Sequence, residues 1–177
     1  MSNKKRESTP KVKIRQYKPT DIEVCRALWI ELTDWHREIY LDPTIGGNDP
    51  GHYFDEHLKQ VGREHVWVAE KGNKVIGMTG IIIGENEAEL EPLVVKKEYR
   101  SYGIGSQLVK KIIDEAKKIG VQTLKVRPVA RNDNAIIFFH RRGFDVLGHI
   151  DLFMDLTTSR KKKWTGKEKI AGKEFRK

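Results

Sequence analysis

Hydrophobic positions along the chain recur with two periods, and the switches between them mark the elements. Val12, Ile14 and Tyr17 predict a first strand, and Pro19-Thr20-Asp21 supplies turn and cap chemistry before a helix. Ile22, Leu28, Leu32, Trp35, His36 and Ile39 then fall along one side of that helix. Pro43, Gly46 and Gly47 make a loop, and Asp49-Pro50 is expected to cap a second helix carrying Tyr53, Phe54, His57, Leu58 and Val61 up to Gly62. The runs 65–70 and 74–83, joined by Lys-Gly-Asn, read as a β-hairpin. A turn at Glu85-Asn86 returns the chain into a strand, Glu89 to Val95, completing an antiparallel meander. From Gly105 onward Leu108, Ile112, Ala116 and Ile119, widened by Val109 and Ile113, recur at helical spacing until Gly120. Residues 121–126 read as a strand, parallel to its predecessor because a helix intervenes. Asn132-Asp133 caps a short helix over 135–142 that stops at Gly143, and two last strands are expected near 144–148 and 150–156. Beyond Thr157 little is apolar except Trp164, Ile170 and Phe175, and there are no internal repeats.

Between the third meander strand and the long helix lies Arg100-Ser101-Tyr102-Gly103-Ile104-Gly105-Ser106. Two glycines just before a helix remove the Cβ atoms that would hold a ligand off the backbone. The N–H groups of the first helical turn point into that space, where the helix dipole favours an anion. The segment has the chemistry of a phosphate cradle. A P-loop would need Lys-Ser/Thr after the glycines; a dinucleotide fingerprint would need Gly or Ala where Leu108 stands and an acidic residue where Lys125 and Arg127 fall. What fits is Arg-x-x-Gly-x-Gly after a strand ending Leu93-Val94-Val95. At these residues the chain resembles the GNAT superfamily of N-acetyltransferases, whose loop of this form holds the pyrophosphate of acetyl-coenzyme A. A second segment, Asn132-Asp-Asn-Ala135-Ile-Ile-Phe138-Phe139-His140-Arg-Arg-Gly143-Phe144, is similar to the same family's Asn-x-x-Ala-x-x-Phe/Leu-Tyr-x-x-x-Gly-Phe. The likeness runs from about residue 12 to 156 and is strongest over residues 65–144. It implies an α/β (α+β) fold with a mixed, mostly antiparallel central sheet of about six to seven strands flanked by helices.

The resemblance also implies a chemistry: acetyl transfer from acetyl-coenzyme A, as co-substrate, to a primary amine by direct attack in a ternary complex, without a metal. The cofactor would rest on Leu93, Val94 and Val95, on residues 100–106, and on Asn132, Ala135, Phe138 and Phe139. The Val95 N–H is the implied oxyanion donor. Regular alternation would put Glu89, Glu91, Leu93 and Val95 on one face, making Glu89, with Glu91 next, the implied base. Pro92 cannot donate an N–H, which agrees with a locally broken ladder. Phe139 stands where the family commonly carries a Tyr that protonates the leaving thiolate. A phenyl ring can pack on the pantetheine arm but cannot donate a proton, and His140 is expected to point outward. The acceptor would lie among Trp35, His36, Tyr40, Asp42, Tyr53 and Asp151, leaving small molecules, protein N-termini and lysine side chains all open.

Composition narrows this picture. At 177 residues one domain is expected, read as a basic arm over 1–11, a domain over 12–157 and a basic tail over 158–177. The single Cys25 allows no internal disulfide and reads as a small buried hydrophobe. No apolar run approaches the roughly 20 residues of a membrane span, and Met-Ser-Asn-Lys-Lys-Arg lacks a signal peptide's apolar stretch, so a cytoplasmic protein is expected. Of the net +9, residues 1–15 carry +5 and residues 160–177 carry +7, leaving −3 for the body. An acidic body suits a cationic amine; basic ends suit weak nucleic-acid contact or simple solvation. Two alternatives therefore stand beside the enzyme: a nucleic-acid-associated protein, and an acyl-coenzyme A-binding module with little catalysis. A homodimer is compatible with either.

Overall fold

The computed structural model describes residues 11–154, 156, 164 and 166–177. Five strands form one sheet in the order β1 (Lys13–Gln16), β2 (Val66–Lys71), β3 (Lys74–Ile83), β4 (Glu87–Val95), β5 (Thr123–Lys125). The first four pair antiparallel; β5 returns through helix α3 (Ile104–Ile119) and pairs parallel to β4. Alternation along β2 sends Val66 and Val68 toward α1 (Ile22–Tyr40) and α2 (His52–Val61), where they meet Cys25, Leu28 and Phe54. Trp67 turns to the other face with Ile81, Val109 and Ile112. Leu108 is fully buried in that second layer, and truncating it to Ala would cost about 2–5 kcal/mol. Helix α4 (Asp133–His140) follows β5.

The five-stranded sheet is smaller than the six to seven strands expected. Residues 144–154 form no ladder, and Val146, Leu147, Phe153 and Met154 are exposed. Their alternation marks side chains suited to a sheet face, but β5 offers an edge only three residues long. The tail carries the opposite surprise: β6 (Lys167–Ile170) and β7 (Lys173–Arg176) form a separate hairpin. Its turn places Ala171 and Gly172 at φ 50° and 75°, the geometry of a type I′ connection. The hairpin is mostly Lys and Glu, which hid it from hydrophobic periodicity. Lys177 anchors it to Asp133 at 2.6 Å. Residues 1–10, most of the basic arm, and residues 157–163 lie outside the described residues.

The side-chain caps expected at α1 and α2 do not form. The Asp21 carboxylate instead accepts from the Lys18 N–H at 2.8 Å and from Arg15. At α2 the backbone carbonyls of Asp49 and Pro50 receive the His52 and Tyr53 N–H groups. Most relevant to function is a bulge in β4: Thr79 faces Leu93 while Ile81 faces Leu90, so Gly80 opposes two residues, Glu91 and Pro92. Ala88 and Leu90 face the α3 layer before the bulge, and Leu93 and Val95 face it after. The extra residue inverts the alternation. Glu89, Glu91, Leu93 and Val95 therefore do not share a face: the carboxylates stand on the α1–α2 side, and the Leu93 and Val95 side chains on the α3 side.

Candidate active site

The backbone of β4 beyond its bulge opens onto a gap. Lys96 N–H donates to the Ile76 carbonyl at 2.9 Å, and Gly77–Val95, Met78–Val94 and Thr79–Leu93 are the facing pairs before it. Bonded and non-bonded pairs alternate in an antiparallel ladder, so Val94 commits its backbone to Met78. Leu93 and Val95 turn their N–H and C=O groups the other way, toward β5. Because β5 pairs with β4 only through Glu87–Glu89, the strands part beyond that point. The N–H groups of Leu93 and Val95 face the opening. Val94, expected beside them, is buried in the α1–α2 core and does not line the gap.

The glycine loop completes the far end. Gly103, at φ 77°, begins α3, and a Cβ built there meets nothing within 4 Å. Gln107 is the first residue to bond back into the helix, to Gly103 at 3.2 Å, so the N–H groups of Ile104, Gly105 and Ser106 point outward. Ser101, at φ 68°, sets the turn, while Ile104 and the half-buried Tyr102 pack into the core beneath. Gly105 answers a different need from the one expected: a Cβ there would stand 3.2 Å from the Phe138 ring. Arg100 also turns inward. Its guanidinium donates to the Val95 carbonyl at 2.9 Å and to Glu31 at 3.0 Å, bracing the loop against α1 and not reaching into the cradle. The positive group beside the helix start is Arg142, which donates to Ser106 Oγ and lies 3.4 Å over the Phe138 ring. Burial and nearby Arg141 lower its pKa.

On α4, the Asn132 side chain caps the helix by accepting from the Ala135 N–H at 3.1 Å. Phe139 is buried, edge-on to both Phe138 at 5.2 Å and Phe144 at 5.5 Å. This aromatic cluster makes Phe139 a core residue and leaves it little surface for a pantetheine arm. His140 is exposed, as expected.

The two carboxylates differ. Glu89 is 9% exposed, with Arg127 Nε at 3.6 Å and Lys125 Nζ at 3.9 Å. Glu91 reaches solvent, yet the protein crowding its carboxylate, together with the Glu89 charge, raises its pKa, and Arg127 opposes this. Behind the bulge sits His57, 6% exposed and tilted against Trp29 at 5.3 Å. Burial pushes its pKa down to about 4, a fall that the nearby Glu91 carbonyl partly offsets. No sequence signal distinguished His57 from the other apolar-face positions of its helix.

The expected acceptor residues are only partly brought together. Trp35, His36 and Tyr40 are half-buried near the end of α1, and burial lowers the His36 pKa. Asp42 accepts from the Thr44 N–H at 3.0 Å and so shapes its own loop. Tyr53 is exposed on α2, and Asp151 lies in the exposed segment after Gly143. Sequence reasoning missed Arg131, which stacks on Tyr40 at 4.7 Å, approaches Trp164 at 5.9 Å and donates to the Ile39 carbonyl. It joins the β5–α4 connection to the end of α1. Among the described residues no group of three or more His, Cys, Asp and Glu is arranged to hold a metal, and no helix is long and apolar enough to cross a membrane.

Residues 29–144 match the model of the acetyltransferase (GNAT) family. The chain is 30% identical over 108 residues to an amino-acid acetyltransferase of Aeromonas salmonicida (strain A449), covering 60% of this chain and 23% of that protein. It is 26% identical over 98 residues to N-acetyltransferase 8 of Rattus norvegicus, covering 52% and 43%. The chain thus spans less than half the length of these curated relatives. Its fold is similar to that of the PaiA N-acetyltransferase of Thermoplasma acidophilum, solved in complex with coenzyme A: TM-score 0.62, 21% identity, 75% of this chain and 88% of that one.

Proposed function

The chain belongs to the acetyltransferase (GNAT) family, and from that membership we propose that it transfers an acetyl group from acetyl-coenzyme A to a primary amine. The observation that carries the reading is two sets of backbone N–H groups without a partner in their own element, those of Leu93 and Val95 in the gap and those of residues 104–106 at the start of α3. The first pair matches an extended amide-bearing arm and the second a pyrophosphate, and the open space at Gly103 lets the anion approach the backbone.

Acetyl-coenzyme A supplies an activated thioester carbonyl. The amine, with a pKa near 10.4 if it is a lysine, must first lose a proton. Glu91 takes that proton, directly or through one water. Its raised pKa makes it a stronger base than an ordinary carboxylate, it reaches solvent, and it stands next to the opening. Glu89 is held between two cations and acts by raising its neighbour. The neutral nitrogen attacks the carbonyl carbon and the Val95 N–H stabilises the oxyanion; as collapse breaks the C–S bond, the nitrogen gives its surplus proton to solvent water, leaving a neutral amide, and the departing thiolate is protonated from that water. A thiolate, with a thiol pKa of about 8.5, leaves without a protein acid, consistent with Phe139 in the core. The acceptor class extends to amino-acid amines, small polyamines or aminoglycosides, and protein amines.

Acetyl-coenzyme A consumption by the purified protein against such an amine panel tests the activity. Glu91→Gln should lower turnover at least tenfold, more strongly below pH 8 where the amine is mostly protonated, while Glu89→Gln should lower it less. Wild-type turnover in Glu91→Gln at every pH would remove Glu91 as the base.

A further inference from the structure

His57 is a buried polar residue that the mechanism above does not use. Its Nε2 has no hydrogen-bond partner among the described residues, although the ring is 6% exposed. A buried donor or acceptor in that state costs about 1–3 kcal/mol, whereas an apolar side chain of the same shape would be neutral or better. Its surroundings show where the group is aimed. A Cβ built on Gly80, the residue opposing the bulge, would stand 3.2 Å from His57 Nε2 and 2.6 Å from the Glu91 carbonyl oxygen. The imidazole edge and that carbonyl thus crowd the same point behind β4. Only a glycine at position 80 leaves room for both. Trp29 backs the ring from α1, fixing its approach.

We propose that His57 is a positioning residue: its Nε2–H holds the Glu91 carbonyl, and through it the bulge that presents the Glu91 carboxylate to the acceptor amine. This rests on Glu91 as the base. The Glu91 carbonyl already lies close enough to favour the protonated ring, but Nε2 lacks a well-aligned hydrogen bond in the protein alone, and catalytic hydrogen bonds commonly tighten only when substrates load. Gly80 is the space that lets it close.

The test compares His57→Phe, His57→Gln and His57→Asn, each alone and the first also with Glu91→Gln. His57→Phe should keep or raise the melting temperature yet lower kcat at least tenfold, with KM for acetyl-coenzyme A unchanged. A purely structural role would lower stability and activity together. Gln, whose amide nitrogen reaches the Nε2 position, should return kcat to within about threefold of wild type; Asn, one bond shorter, should not. If the phenyl ring prevents folding, the Gln and Asn pair reads the same distinction. On the Glu91→Gln background, His57→Phe should add little further loss, because both act at one step. Wild-type kcat in a folded His57→Phe variant, equal activity of Gln and Asn, or an undiminished further loss in the double variant would overturn the proposal. If Glu91→Gln alone keeps full turnover, the base assignment fails instead, and the two failures are distinct.

Discussion

Single residues divide between those that face the ligand and those that hold the fold behind it. Gly103 is the clearest candidate of the first kind: at φ 77° with open space where a Cβ would go, any larger residue would be strained there and would project into the proposed phosphate site. Gly103→Val should weaken coenzyme A binding at least tenfold, about 1.4 kcal/mol, by calorimetry; unchanged affinity would move the pyrophosphate elsewhere. Phe139 is of the second kind. A Tyr there would place its hydroxyl among Phe138 and Phe144, with a desolvation cost and no gain in thiolate departure. Phe139→Tyr should leave kcat within tenfold and lower the melting temperature; a rise beyond tenfold would show that a missing acid limits the reaction. His57 adds a pH signature. Its folded pKa, about 4, lies below the ordinary value of 6.5, so the unfolded chain binds the proton that the folded chain refuses. That contribution to stability is intact above about pH 6.5 and is lost as pH falls toward 4. His36, also held down by burial, titrates in the same direction. The melting temperature of wild type should therefore fall more steeply than that of His57→Phe as the solution is acidified from about pH 6.5 toward 4, so that the variant's advantage grows in acid; parallel pH profiles would show that this imidazole does not titrate in that range.

At the scale of elements, β4 does two jobs with one backbone. Val95 lies at a position whose N–H is not needed by β3, so removing that N–H should leave the ladder intact. Val95→Pro should keep a native circular-dichroism spectrum while kcat falls about 10²- to 10³-fold, the usual effect of losing one oxyanion donor; a wild-type rate constant would reassign the donor. That the backbone groups of Leu93 and Val95 would turn away from β3 was legible from the motif alone, because the glycine loop fixes where the strand ends. The face on which the carboxylates stand was not. Alternation by twos assumes an unbroken ladder, and one extra residue opposite Gly80 inverted it between Glu91 and Leu93. The meander and the long helix were readable because their apolar residues are buried at regular spacing. Residues 150–156 show the limit of that signal: they alternate like a strand, but pairing depends on a partner edge. The β6–β7 hairpin fails in the other direction, since its order comes from backbone pairing and a turn, with few apolar residues to betray it.

Across the whole molecule, the charge is concentrated at the two ends, and the structure shows what one end touches. The C-terminal hairpin reaches the body through Lys177 on Asp133 and through Trp164 near Arg131. Contacts of this kind contribute little individually, exposed ion pairs about 0–1 kcal/mol. Ending the chain after residue 163 should therefore leave the five-stranded sheet folded, with coenzyme A affinity within about threefold of wild type by calorimetry. Loss of cooperative thermal unfolding would show that the hairpin is part of the core. Removing residues 1–11 and 158–177 together separates the two functional classes open at the outset: an acetyltransferase keeps its chemistry, and a protein acting through basic ends does not.

The bulge opposite Gly80 makes the length of β4, more than its composition, the quantity under constraint. Many of its side chains could be exchanged for others of like size without moving the opening. Deleting one residue at 91 or 92 is different: the strand would regain even parity, and either the acidic pair or the amide pair would swing to the wrong side of the sheet. A library scanning this strand should thus tolerate substitutions at several positions and reject nearly every single-residue insertion or deletion, even those that spare all the named side chains.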